Sequence, residues 1–293
     1  MKPAARDRAI ETRLARWFAA SARDLPWRAD VAHPRTAHAG GRDPYAALVS
    51  EFMLQQTQVS RVLERYGPFL ESFPTVRHLA AAPEQEVMAH WQGMGYYRRA
   101  RMLHAAARAV VEHHDGHVPA HADALRELPG VGPYTAGALA SIVFGERCPT
   151  VDGNIARVLV RVEGREVRED ARARDAWAWS RAESLVRGSR NAGVLNEALM
   201  ELGATVCTPA APRCPDCPLR SLCEARRRGI QTQIPPPKDR GVRQRIFHNV
   251  VLVRREDGAV LIEERPHKGL WAGMWQAPTL EHDERAATAR ELA

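Results

Sequence analysis

Four cysteines, Cys207, Cys214, Cys217 and Cys223, fall within 17 residues at the spacing C-x6-C-x2-C-x5-C. Thiolates this close bind metal or react, and a disulfide framework is not expected in a cytosolic chain. Sites built from four cysteines hold zinc or an iron–sulfur cluster. The spacing by itself leaves both open. Cys148 stands apart and reads as a core thiol.

With 293 residues, 45% of them hydrophobic, the chain can build one large domain or two ordinary ones. It has no run of 18 apolar residues and no charged-then-apolar leader, so neither a membrane span nor secretion is expected, and the expected location is the cytosol. The net charge is +7, but residues 246–293 carry six basic and eight acidic groups, which concentrates the positive charge on residues 1–245. Such a surplus favours a polyanion, or is simply a basic surface. Only three of the 42 basic residues are Lys; Arg suits bidentate phosphate contacts.

Apolar residues recur at helical spacing along most of the chain. Residues 5–20 predict a helix with Leu14, Trp17 and Phe18 on one stripe, and residues 29–42 read as a loop. Asp43-Pro44 is a cap followed by proline at the first helical position, ahead of Tyr45, Leu48, Val49 and Phe52. Helices are expected over about 58–71, 84–92, 98–114, 121–127 and 133–144, after Asp152-Gly153-Asn154, and over 171–206. Residues 231–245, with three consecutive prolines, read as a linker. Beyond it, Val250–Val253 and Val260–Glu263 flank Asp257-Gly258 as two β-runs around a turn.

Two places carry chemistry. Leu128-Pro129-Gly130-Val131-Gly132 joins two helices, and the second begins with free N–H groups at the positive end of its dipole. That suits a DNA phosphate, or is a plain helix corner. Glu51 lies on the flank of an otherwise apolar helix, and Asp152 sits just before one. Alone, the first reads as solvated surface and the second as an N-cap. Glycosidic hydrolysis in general uses a carboxylic acid for the leaving group and a carboxylate for the charge growing on the sugar, but the two positions alone do not single these residues out for it.

The motifs in combination resemble the MutY-type adenine DNA glycosylases of the endonuclease III-like superfamily. They are Ser50-Glu51 with Met53-Leu54-Gln55-Gln56-Thr57, Gly93-Met94-Gly95-Tyr96-Tyr97, the hairpin with Pro133-Tyr134-Thr135-Ala136, Val151-Asp152-Gly153-Asn154, and the cysteine loop after Glu201-Leu202-Gly203-Ala204. The likeness spans about residues 6–230. It implies a mainly α protein, with a two-lobed helix-hairpin-helix glycosylase domain over 1–230 and a [4Fe–4S] loop at about 207–223. It also implies that Glu51 protonates adenine, that Asp152 stabilises the oxocarbenium ion or bonds to it transiently, and that Tyr134 and Asn154 orient these groups. Trp27, Arg28 and Glu197 would form the adenine pocket, and Leu54 would be a further substrate or DNA contact; Gln56 and Tyr96 would fill the gap left by the flipped base, with Thr57 and Met94 beside its orphaned partner. Gly130, Val131 and Gly132 would hold the DNA backbone, and Arg98 and Arg99 mark a DNA-facing loop. The cluster would be held by the four cysteines and would staple a loop whose Arg213, Arg220 and Arg226 face DNA.

In relatives that also cut the backbone, a Lys in the hairpin forms a Schiff base; Tyr134 stands there in this chain and cannot. A bifunctional endonuclease III-like lyase is thus the weaker alternative, and a non-catalytic helix-hairpin-helix module is weaker still, because both carboxylates sit in their motifs. Phe247 to Pro278 resembles the start of the α+β MutT-like (Nudix-related) domain that follows in this family, with a helix expected over Ala286 to Leu292 and an incomplete domain over 246–293. The expected partner is double-stranded DNA with adenine opposite 8-oxoguanine or guanine, bound by a monomer in a bacterial-type nucleoid.

Overall fold

A computed structural model describes residues 2–28, 41–166, 171–236, 245–266, 268–269 and 271–282. Most of the expected loop 29–42, part of the linker and the helix expected over Ala286–Leu292 lie outside the described residues. The chain divides into two units, Met1–Pro237 and Lys238–Ala293.

The first unit is helical: α1 (Pro3–Ser21), α2 (Pro44–Leu54), α3 (Val59–Ser72), α4 (Val76–Ala81), α5 (Glu84–His90), α6 (Arg98–His113), α7 (Ala122–Arg126), α8 (Pro133–Ile142), α9 (Gly153–Glu163), α10 (Ala171–Arg187), α11 (Ala192–Thr205) and α12 (Glu224–Arg227). Its apolar faces close on two main cores. The first is drawn from residues 45–143 alone, with Phe52, Phe69, Phe73 and Trp91 at its centre. The second joins Ile10 and Leu14 of α1 to α9, α10, α11 and Leu219. Burying each of these large side chains stabilises the fold by about 1.5–3 kcal/mol.

Local signals set most helix starts. Asp43 accepts the Ala46 N–H at 2.9 Å and Pro44 opens α2. Asp152 accepts the Ile155 N–H at 2.7 Å ahead of α9. The helix expected over 171–206 is two, because Asn191 caps α11 through the Val194 N–H. Helix α4, unforeseen, is six residues long and capped by Thr75.

Between α7 and α8, Gly130 adopts φ +77°, which a side chain would oppose, and a Cβ there would sit 2.6 Å from Met102 Cβ. Closer still is Gly137 in α8, where a Cβ would lie 2.1 Å from the Pro149 carbonyl oxygen.

The second unit holds two antiparallel pairs among its described residues. Strand β1 (Phe247–Val250) pairs with β4 (Thr279–His282), and β2 (Glu263–Glu264) with β3 (Trp275–Gln276). Val250–Val253 and Val260–Glu263, expected as two β-runs around a turn, meet only close to that turn. The turn forms, with Leu261 N donating to Val253 O at 2.9 Å, but only Arg254 and Val260 bridge as a ladder. The regular partners of β1 and β2 lie further along the chain. Among the described residues no helix is long and apolar enough to cross a membrane.

Candidate active site

A cavity of about 250 Å³ opens in the first unit, with walls from both cores. Pockets for drug-sized ligands run about 300–1,000 Å³, so this one suits a single heterocycle. Helix α2 brings Ser50, Glu51 and Leu54, α8 brings Tyr134, the start of α9 brings Asp152 and Asn154, and α11 brings Glu197 and Glu201. Trp27 and Arg28 enter from the turn after α1, and Thr57 from the end of α2.

Glu51 is only partly open to this cavity, and burial pushes its carboxyl up to about 8. Glu197 and Asp152 add to the push, while Arg42 and a hydrogen bond with Tyr134 oppose it. Burial likewise drives the Tyr134 phenol well above its ordinary value, with Glu51 and Asp152 reinforcing the shift. Its hydroxyl therefore stays a neutral donor. Asp152 is held on both oxygens: the Ile155 N–H and the Asn154 Nδ2 each donate at 2.7 Å. Asn154 Oδ1 in turn accepts from Arg157 Nη2 at 2.8 Å, and Arg157 also donates to the Cys207 and Gly203 carbonyls. The capping role expected of Asp152 thus coexists with its place in the cavity wall.

The floor is an ion network invisible in the sequence. Glu197 accepts two bonds from Arg42, both at 3.0 Å, and lies 3.4 Å from Arg28 Nε. Glu201, with no exposed side-chain surface, accepts from Arg23 at 2.7 and 2.8 Å and from Arg28 at 2.9 Å. Burial would raise its carboxyl, but the bonds from Arg23 and Arg28 outweigh that and hold it at about 2. Arg23, Arg42 and Glu201 were missed because a charged residue's partner 155 to 178 positions away leaves no local pattern. The one available signal was Glu201 at i+4 from Glu197, which puts both carboxylates on one face of α11.

Glu201→Gln is expected to lower stability by about 3 kcal/mol at neutral pH, because two guanidiniums lose their buried counter-charge. A folded pKa depressed below the ordinary 4.5 contributes stability that is present above 4.5 and lost as pH falls toward 2. The gap between wild type and variant in urea melts is expected to narrow across that window.

The other expected DNA contacts divide. Gln56 is exposed, and Tyr96 exposes 62% of its surface; both are left-handed, at φ +54° and +48°. Gly132 is exposed at the hairpin, and the first N–H taken up inside α8 is that of Ala136. Three expectations are corrected. Met94 is 4% exposed and belongs to the core rather than to an open surface. Val131 is also buried, and its N–H already donates to Leu128 O at 3.1 Å. Arg98 is exposed as expected of a DNA-facing loop, but Arg99 turns inward and is buried. Arg213, Arg220 and Arg226 are exposed, and each spends one N–H on a nearby carbonyl.

Cys207, Cys214, Cys217 and Cys223 are all free thiols lining one pocket with Val158, Val162, Leu202 and Val206. Arg161 Nη1 donates to Cys207 Sγ at 3.4 Å. Among the described residues no three His, Cys, Asp or Glu side chains converge as a lone metal ion requires. Cys148 packs against the first core, half-buried.

Residues 49–183 match the HhH-GPD superfamily of base excision DNA repair proteins. The human adenine DNA glycosylase is 38% identical over 94% of this chain. That of Mycobacterium tuberculosis (strain H37Rv) is 39% identical over 81% of the chain and 77% of its own length. The solved structure of a thermostable thymine-DNA glycosylase is 29% identical, covers 76% of this chain and 98% of that one, and superposes with a TM-score of 0.65. The chain spans 59% of the human protein and 60% of the rat one. The human and mycobacterial proteins carry the same name, and the second is matched over more than two thirds of its length: the chain belongs to the adenine DNA glycosylase family of the HhH-GPD superfamily.

Proposed function

We propose that this protein binds double-stranded DNA, flips adenine mispaired with guanine or 8-oxoguanine into the 250 Å³ cavity, and hydrolyses its N-glycosidic bond. The observation that carries the reading is Glu51, a carboxyl that stays protonated at neutral pH beside an aspartate fixed on both oxygens. Adenine is a poor leaving group until a ring nitrogen is protonated. Glu51 gives its proton to N7, the C1′–N9 bond breaks, and its electron pair leaves with the neutral base. Asp152 faces the positive charge on the sugar. Water adds its oxygen to C1′ and returns a proton to Glu51. Tyr134 orients the acid, and Asn154 orients Asp152. Arg28, Glu197 and Trp27 frame the adenine.

A phenol at Tyr134 forms no imine, so the reaction stops at the abasic sugar. The test is a duplex carrying A opposite G or 8-oxoguanine, incubated with protein and then treated with hot alkali. Strand breaks at the adenine are expected only after alkali, and borohydride should trap no covalent complex. No break with either mispair would sink the reading.

The four thiols, set in an apolar pocket with an N–H aimed at one sulfur, fit a [4Fe–4S] cluster. When bound, it supplies a staple for the loop rather than a step in hydrolysis. Anaerobically purified protein is expected to be brown with about four iron atoms per chain. Colourless protein containing zinc would overturn this. The basic charge of the first unit supports DNA as the partner, with a monomer on nucleoid DNA as the reading to test, and the second unit is read as the start of a MutT-like element.

A further inference from the structure

Two exposed loops of the first unit each hold one strained residue. Gln56 follows α2 at φ +54°, and Tyr96 precedes α6 at φ +48°. A left-handed residue other than glycine costs about 1–3 kcal/mol and persists only where its surroundings over-determine it. A single side chain touches both loops. Arg99 Nη1 donates to the Phe52 and Met53 carbonyls at 2.9 Å each, taking up acceptors at the end of α2. Its Nη2 donates to Thr57 Oγ1 at 2.8 Å, and to the Gly95 and Met94 carbonyls at 3.2 and 3.3 Å. The guanidinium carbon lies 5.5 Å from the Trp91 ring and 5.4 Å from the Tyr96 ring. The cation thus completes the helix terminus, where its charge is favoured, and spans the gap between the loops.

We propose that Arg99 is a positioning residue that locks the Gln56–Thr57 and Gly95–Tyr96 loops at one spacing, so that both enter the duplex together when adenine leaves the stack. The inference rests on the adenine-flipping reading above. Arg99 faces inward and reaches neither the cavity nor the scissile bond; it acts through the loops. Helix α2 also carries Glu51, one residue before Phe52, so the same guanidinium references the loops to the acid. Lysine cannot replace it, because one ammonium cannot reproduce a planar fork with five donors.

The test separates flipping from bond breaking. Single-turnover excision is measured for wild type and Arg99→Lys on two duplexes. One holds A:G in fully paired DNA; the other holds A:G flanked by a mismatch on each side, where unstacking is cheap. Arg99→Lys is expected to slow the paired substrate roughly tenfold to a hundredfold, the scale on which ångström misplacements act. On the loosened substrate it should lose less than about threefold. The ratio of the two rates does not depend on how much of the variant is folded. Equal losses on both substrates, or none on the paired one, would overturn the positioning role. Wild type inactive on both would overturn the adenine reading and take this inference with it.

Discussion

Glu51→Gln is expected to abolish adenine release while making the protein more stable. Gln keeps the size and polarity of the side chain but has no proton to give, and loss of a general acid costs about 10²–10⁴ in rate. The rate of wild type should be flat through neutrality and fall as pH rises through about 8, because the protonated form is the active one. The stability effect has the opposite sense. A folded pKa raised above the ordinary 4.5 contributes stability that is fully present below 4.5 and lost as pH rises through 8. Near pH 7.5 the wild type therefore bears a cost on the order of 4 kcal/mol that a neutral Gln does not, at about 1.4 kcal/mol per pH unit. Melting the two proteins at pH 4.5 and 7.5 is the check. Equal Tm values are expected at the lower pH, and the variant should be higher by several degrees at the upper one. An active Glu51→Gln, or one less stable at pH 7.5, would remove the acid from the mechanism.

Gly137→Ala is expected to cost 3 kcal/mol or more. Overpacking in cores typically costs about 1–3 kcal/mol, and this position is worse than typical. The Cβ would meet the Pro149 carbonyl oxygen at 2.1 Å and its carbon at 3.1 Å, both backbone, so no side chain can swing aside. Helix α8 and residues 149–152 must then move apart. That gap also sets where Tyr134 stands relative to Asp152, and the Thr150 hydroxyl crosses it to the Tyr134 carbonyl at 2.8 Å. Excision per folded molecule should therefore fall along with the Tm, by roughly tenfold to a hundredfold. Gly153→Ala meets nothing within 4 Å and is the control for a glycine lost nearby. Matching Tm values for the two variants would refute the packing argument.

The helical architecture was legible because caps and apolar spacing are local properties. Asp43, Asp152 and Pro133 each sit where a helix start needs them. Glu51 and Asp152 were legible for a different reason: each lies in a motif, and the cavity unites them from separate cores. Asn191 carried the signal that splits 171–206, but the apolar pattern on both sides of it masked the break. The long-range strand partners in the second unit were not legible because alternation names a strand without naming its neighbour; β1 pairs with β4 across some thirty residues. Arg99 shows the limit most clearly. Beside Arg98 it reads as half of a basic pair, and only folding reveals that one points out while the other is buried among carbonyls.

The division of the first unit into two cores has a consequence for synthesis. The first core is complete once residue 143 has been made, whereas Ile10 and Leu14 must wait for partners in α9, α10 and α11. From residue 143 to the end of α11 at Thr205, at about 5–20 residues per second, the gap is roughly 3–12 s on the ribosome. During it, Glu51 and Tyr134 can already be set in their helices, with no Asp152, Glu197 or Glu201 opposite them. The nascent chain therefore carries one wall of the cavity without the other until α1 docks on α9, α10 and α11.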